Sequence, residues 1–286
     1  MFNRNDKIGI VACSNGINVK KKEEIKELVI ILKNMGFVPI LGNNIFADNS
    51  IFCGSSIEKA KSLMDFYINN EIKAIFDVSG GDIANEILDF LDYDVIKNNP
   101  KPFFGYSDLT TVINALYRKT GAVSYLYQIR NLVSECRETQ TKDFYNSLFL
   151  GKNDLFDFNY KFIRGNKLKG TVLGGNIRCL LKLAGTEYFP DFQNKVLFLE
   201  SRSGNEGAMI SYLTQLKQMG IFNKISGVIL GKFSQMEREN IKPKAEELIL
   251  NVTKDKSFPI VKTSDIGHNK NSKCMIIGKD IYLKDK

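Results

Sequence analysis

At 286 residues the chain has room for one large domain or two ordinary ones. Its 43% hydrophobic and 25% charged content excludes disorder, collagen and coiled coil as its main organisation. The formal charge is +8, yet the only tight basic run, Lys20-Lys21-Lys22, runs straight into Glu23-Glu24. Without a basic stripe or a module signature, a nucleic-acid partner is not expected. There is no tryptophan and one histidine, so a metal site of several imidazoles is excluded and any histidine chemistry must use His268. The five cysteines are widely spaced with no C-x-x-C pair, as expected of free thiols in a reducing compartment. No secretory segment and no apolar stretch of about 18 residues is found, so the sequence predicts a cytoplasmic protein with no membrane partner.

Apolar, β-branched runs alternate with helical periods through the first half. Lys7 to Ala12 predicts a strand, Glu23 to Met35 a helix stopped by Gly36, and Phe37 to Leu41 a second strand. Ser56 to Asn69 follows as a helix capped by Ser55 or Ser56, then Ala74 to Val78 as a strand and Ile83 to Leu91 as a helix. Phe103 to Tyr106 and Leu109 to Arg118 complete the alternation, which is that of a parallel sheet with right-handed crossovers. The period fades between Val133 and Lys169, predicting a domain of residues 1–150, a linker over 151–168 and a second domain of mixed β and α structure over 169–286. In that second part, Lys169 to Leu173 reads as a strand ended by a Gly174-Gly175 turn, with a helix over Ile177 to Ala184. Strands over Val196 to Leu199 and Ile225 to Leu230, helices over Ala208 to Met219 and Lys244 to Val252, and short strands near Pro259, Cys274 to Ile277 and Ile281 to Leu283 follow.

Sites in open parallel sheets lie outside the carboxyl ends of the strands. Three such turns stand out: Cys13-Ser14-Asn15-Gly16, Ser79-Gly80-Gly81-Asp82 and Gly105-Tyr106-Ser107-Asp108. The last is similar to a nucleophile elbow, although Leu109 replaces its final glycine; Ser107 or Asp108 as a plain helix cap is the alternative. Gly80-Gly81 suits either an anion-facing backbone or a tight turn. No nucleotide fingerprint is present. A serine nucleophile needs a base and a group to orient it. His268 is the available imidazole, against the alternative of a solvated loop residue, and Glu200, closing the apolar run Val196 to Leu199, is the candidate acid. Cys13 is a rival nucleophile only if it is not simply a buried thiol.

With these residues in place, the chain resembles the LD-carboxypeptidases, serine peptidases that include muramoyl-tetrapeptide carboxypeptidases and microcin C immunity peptidases. The resemblance rests on Ile72 to Ile75 leading to Ser79-Gly80-Gly81-Asp82, on Pro102 to Asp108 with Thr110 and Thr111, and on Gly170 to Asn176. It continues through Gly185 to Tyr188, Val196 to Glu200, Leu213 to Leu216, Gly227 to Gly231 and Gly267-His268, in family order from about residue 7 to about residue 280. It implies a Rossmann-like parallel-sheet domain and a mixed C-terminal domain with the site in the cleft between them. It implies Ser107 as nucleophile, His268 as base and Glu200 as its orienting acid, with the backbone N–H groups of Asp108 and Gly81 facing the oxyanion and Gly80 and Asp82 bordering the substrate. The implied substrate is a small peptide with a free C-terminal carboxylate, cleaved without metal or cofactor by a homodimer.

Three stretches depart from the family pattern: Cys13-Ser14-Asn15, Ser124 to Gln128, and Ser201 to Asn205, where Glu206 is the remaining acidic residue. All three border the implied cleft. Substrate identity, murein tetrapeptide or peptidyl nucleotide, therefore stays open at this level.

Overall fold

The computed structural model describes residues 1–285. The four strands read from the first half, joined by a fifth, Ser124–Leu126, that was not read from the sequence, form a parallel sheet in the spatial order Ser124–Leu126, Phe103–Gly105, Ile72–Asp77, Lys7–Val11 and Val38–Leu41. This is a doubly wound order with its switch point between Lys7–Val11 and Ile72–Asp77, where a ligand crevice opens beyond the strand ends. The isolated bridge between Asn15 and Gly80 spans that point. Both helices that follow the first two apolar runs form as the periodicity predicts. Lys22–Met35 ends at Gly36, which takes the left-handed φ of 110°. Ser56–Ile68 starts from Ser55 with a complete capping box to Glu58.

The second sheet runs Asp280–Lys284, Lys167–Asn176, Lys195–Ser201, Gly227–Phe233, Ile260–Lys262 and Lys161–Arg164, parallel in its centre and antiparallel at both edges. The stretch read as a linker over 151–168 thus supplies an edge strand, Lys161–Arg164. In the other direction, Met275–Ile277 crosses back and pairs antiparallel with Ser124–Leu126 in the first sheet. One apolar core runs continuously through both halves, joining Ile75, Leu116 and Leu126 to Leu173, Ile177 and Leu230.

Several elements differ from the sequence expectation, each for a physical reason. Gly174 and Gly175 do not turn the chain; they lie inside the strand Lys167–Asn176. A Cβ on Gly174 would stand 2.2 Å from the Phe198 carbonyl oxygen, and one on Gly175 would stand 2.5 Å from the Thr110 hydroxyl, so glycine permits close approach here. The segment Ala84–Phe90 is a 3₁₀ rather than an α-helix. Helix Arg137–Leu148 occupies the stretch where no period was visible. Its inward face is partly polar, with Gln140 accepting from the Tyr127 hydroxyl at 2.8 Å and Asp143 paired to Lys273 at 2.6 Å, so hydrophobic spacing could not announce it.

Candidate active site

Ser107 stands one residue beyond strand Phe103–Gly105, after Tyr106, and adopts φ 56°, a left-handed conformation that is costly for a residue with a Cβ. The sharp entry is possible because position 105 is glycine: a Cβ there would lie 2.7 Å from the Leu109 Cβ. Neither Ser107 nor Asp108 caps a helix through its side chain. The Asp108 carboxylate is instead fully buried and gathers three segments. It accepts from the Ser14 hydroxyl at 2.7 Å, from the Ala84 N–H at 2.7 Å and from the Lys182 ammonium. The two turns flanking the switch point are thereby tied to the residue next to Ser107.

A second buried carboxylate, Asp77, organises the same turns from below, accepting from the Cys13 N–H at 2.8 Å and from both the N–H and the hydroxyl of Ser79. Burial pushes its pKa up against these hydrogen bonds. Cys13, buried beside it, is pushed well up by desolvation and by the Asp77 charge, which keeps it a thiol and removes it as a nucleophile.

The glycine pair lies against Ser107, since a Cβ on Gly80 would stand 3.7 Å from the Ser107 Cβ. Gly81 has φ 135°, and a Cβ there would collide with the Asn15 side chain at 2.2 Å. Asn15 Oδ1 accepts from the Asp82 N–H at 3.0 Å, while Arg178 donates to the Gly81 carbonyl at 3.0 Å and to the Asp82 carboxylate at 2.6 Å. Asp82 therefore has its charge paired within the protein. Arg178 and Lys182 gave no sequence signal; they lie on helix Ile177–Leu181 and just after it, one helical face brought over the Gly80–Asp82 turn.

From the other sheet, Glu200 near the end of Lys195–Ser201 is completely buried. Its Oε2 lies 2.6 Å from His268 Nδ1, and its Oε1 accepts from Asn176 Nδ2 at 3.0 Å. The Tyr106 hydroxyl reaches the same Oε2 at 3.4 Å, with its pKa pushed well up by burial and by the Glu200 charge, so it stays a phenol. The Tyr106 ring also lies against the imidazole, with centroids 4.8 Å apart. The residue immediately before Ser107 thus touches both His268 and Glu200. Two glycines let the histidine loop approach: a Cβ on Gly231 would meet the Ile266 carbonyl oxygen at 2.6 Å, and one on Gly267 would meet the Lys232 Cβ at 2.3 Å.

His268 Nε2 is buried and makes no hydrogen bond among the described residues. The structure therefore brings Ser107, Glu200, His268, Asp108 and the glycine pair into one neighbourhood, without a formed hydrogen bond from Nε2 to the Ser107 hydroxyl. Glu206 opens helix Glu206–Gln218 on the exposed surface. An imidazole fixed at Nδ1 by a buried carboxylate, with its second nitrogen unclaimed, has the arrangement of a general base.

The architecture is that of a two-sheet α/β protein in which Ser107 lies against the Gly80-Gly81 turn of its own sheet, and Tyr106 beside it touches His268 and Glu200. Residues 8–127 match the LD-carboxypeptidase N-terminal domain, and residues 169–283 match the LD-carboxypeptidase C-terminal domain. The chain belongs to the LD-carboxypeptidase family. It is 26% identical to the microcin C7 self-immunity protein MccF of Escherichia coli, over 92% of this chain and 86% of that protein. It is 25% identical to a probable murein peptide carboxypeptidase of Bacillus subtilis, over 81% of this chain and 73% of that one. The solved muramoyltetrapeptide carboxypeptidase of Oxalobacter formigenes superposes with a TM-score of 0.80 at 22% identity, covering 98% of this chain and 95% of its own, which establishes the shared fold. Among the described residues, no helix is long and apolar enough to cross a membrane.

Proposed function

We propose that this protein is a serine carboxypeptidase that hydrolyses the amide bond to a C-terminal D-amino acid, with D-alanine of a murein tetrapeptide as the leading substrate. The observation that carries the reading is the fully buried Glu200 holding His268 Nδ1, with Nε2 left unpartnered, against the strained turn that presents Ser107.

In this mechanism His268 Nε2 takes the Ser107 hydroxyl proton as Oγ attacks the scissile carbonyl carbon. The carbonyl electron pair moves to oxygen, and the oxyanion is met by the backbone N–H groups of Asp108 and Gly81. Collapse breaks the C–N bond as the imidazolium gives its proton to the leaving amine. Water, deprotonated by His268, then attacks the acyl-Ser107 ester and restores the free serine. Glu200 stays ionised and stabilises the imidazolium, while Asn176 and Tyr106 keep that carboxylate in place. Substrate binding draws Nε2 and the Ser107 hydroxyl into hydrogen-bond reach.

Incubation with murein tetrapeptide and assay of free D-alanine tests the reading: release by the wild type and none by Ser107→Ala is the expected result. No release from any murein peptide contradicts it. A second substrate reading, an immunity-type peptidase acting on a peptidyl nucleotide, is favoured by the wider coverage of the match to the microcin C7 self-immunity protein. An acyl-sulfamoyl nucleotide run alongside the murein peptides decides between the two.

A further inference from the structure

A cavity of about 650 Å³ opens beside the imidazole. Tyr106, Gly267 and His268 form its inner end; Gln128, Arg130, Asn131, Arg202, Asn269 and Lys270 form its walls; the start of helix Lys22–Met35 closes its far side. The wall segments are joined, since Asn131 Nδ2 reaches the Asn269 carbonyl oxygen at 3.5 Å.

The charges in this cavity divide unevenly once the pairs within the protein are removed. Glu24 is engaged by Arg130 at 3.3 Å, Glu27 by Arg137 at 3.1 Å and Glu23 by Lys26 at 2.7 Å. Among the described residues, Arg202, Lys270 and Lys21 have no acidic partner, leaving Glu135 as the unpaired acid. Two polar atoms in the wall, Arg130 Nε and Asn269 Oδ1, are buried without a hydrogen bond, which is costly unless another group satisfies them.

The carboxypeptidase reading makes a geometric demand on this side of the site. The amine that His268 must protonate is joined to a Cα that also carries the terminal carboxylate, so the carboxylate carbon lies only about 2.5 Å from that nitrogen. An exopeptidase that requires a free terminus therefore needs unspent cationic donors within a few ångströms of the imidazole. Arg178 and Lys182, the cations over the Gly80–Asp82 turn, are spent on Asp82 and Asp108. Of the cations beside His268, Arg202, Lys270 and Lys21 have no acidic partner among the described residues, and Arg130, paired with Glu24 through Nη1, keeps its buried Nε unengaged.

We propose that the cavity beside His268 is the subsite for the substrate's terminal carboxylate, with Arg202 and Arg130 as its cationic donors. This rests on the carboxypeptidase reading and places its specificity for a free C-terminus on two named residues. Arg202 lies in the stretch Ser201 to Asn205 and Arg130 just after Ser124 to Gln128. Both stretches depart from the family pattern. Arg130 Nη1 remains with Glu24, so Arg130 acts as a fixed fork, whereas the exposed Arg202 closes on the ligand from the opposite sheet.

The test uses the full chain and a matched pair of peptides ending in D-alanine and in D-alaninamide. The wild type is expected to favour the free acid strongly. Arg202→Gln and Arg130→Gln are each expected to raise KM for the free acid by roughly ten- to hundredfold, the loss of one charge-assisted hydrogen bond, with kcat little changed. The acid-over-amide ratio of kcat/KM is expected to fall toward one in the double variant. Arg202 is exposed and its side chain has no partner among the described residues, so its variant keeps the fold; Arg130→Lys, which keeps a charge for Glu24, covers the case in which Arg130→Gln destabilises the protein. Variants with wild-type KM and an unchanged acid-over-amide ratio overturn the subsite. A wild type that hydrolyses neither peptide nor any murein peptide overturns the carboxypeptidase reading itself, a distinct result.

Discussion

The two halves of the site are held in different ways. On the first sheet, the turns around Ser107 are cross-tied by two buried carboxylates: Asp77 binds the Cys13 and Ser79 turns together, and Asp108 adds Ser14, Ala84 and Lys182. On the second sheet, His268 hangs from one strong contact with Glu200, and both its Nε2 and the neighbouring Asn269 Oδ1 are left unsatisfied. The contrast separates two tasks. The backbone strain at Ser107 persists only where its surroundings over-determine it, while an imidazole that must give and take a proton needs one fixed nitrogen and one free to engage.

Removing either partner of the proposed nucleophile–base pair is expected to have the largest effect. Ser107→Ala and His268→Ala are each expected to lower kcat for peptide hydrolysis by on the order of 10⁴–10⁶, with circular dichroism and melting unchanged. His268 is the only histidine, so no other imidazole takes over. The double variant is expected to lose little more than either single one, since the two act as a unit; additive losses would show that they do not.

Next comes the rigid half. Asp108→Ala leaves the Ser14 hydroxyl, the Ala84 N–H and the largely buried Lys182 ammonium without their common acceptor. It is expected to cost about 3–5 kcal/mol of stability in denaturant titrations and to abolish activity as the turns separate. A variant with wild-type stability would show that the cross-tie holds nothing. Gly81→Ala is expected to cost about 1–3 kcal/mol through its left-handed φ, and to reduce kcat far more than stability because Asn15 must move from the turn. The smallest effect sharpens the contrast by lying outside the site. Ser55→Ala removes the cap of helix Ser56–Ile68 and is expected to lower stability by about 1 kcal/mol, with kcat and KM unaltered.

The first half of the chain was legible because its helices bury apolar faces and its strands are apolar runs closed by Gly, Ser and Asp. Arg137–Leu148 was not, because it turns Gln140, Asp143 and Ser147 inward and leaves no apolar period. Gly174-Gly175 misled for a related reason: a glycine pair marks a tight turn and a close approach equally well, and only the proximity of Phe198 and Thr110 distinguishes them. At the site, His268 stood out by being alone, and Ser107 and Glu200 by ending apolar strands. Asp77, Tyr106, Arg178 and Lys182 matter through partners 64 or more residues away, apart from the local Asp77–Ser79 contact, and such pairings leave no mark on local spacing.

In the proposed mechanism Glu200 and His268 activate Ser107. Reaction of the intact protein with a fluorophosphonate, followed by mass spectrometry of the digested chain, tests it most directly. One adduct per chain on Ser107, lost in His268→Ala and strongly slowed in Glu200→Gln, is the predicted result. No adduct on the wild type, an adduct on another residue, or equal labelling of Ser107 without the imidazole would contradict it.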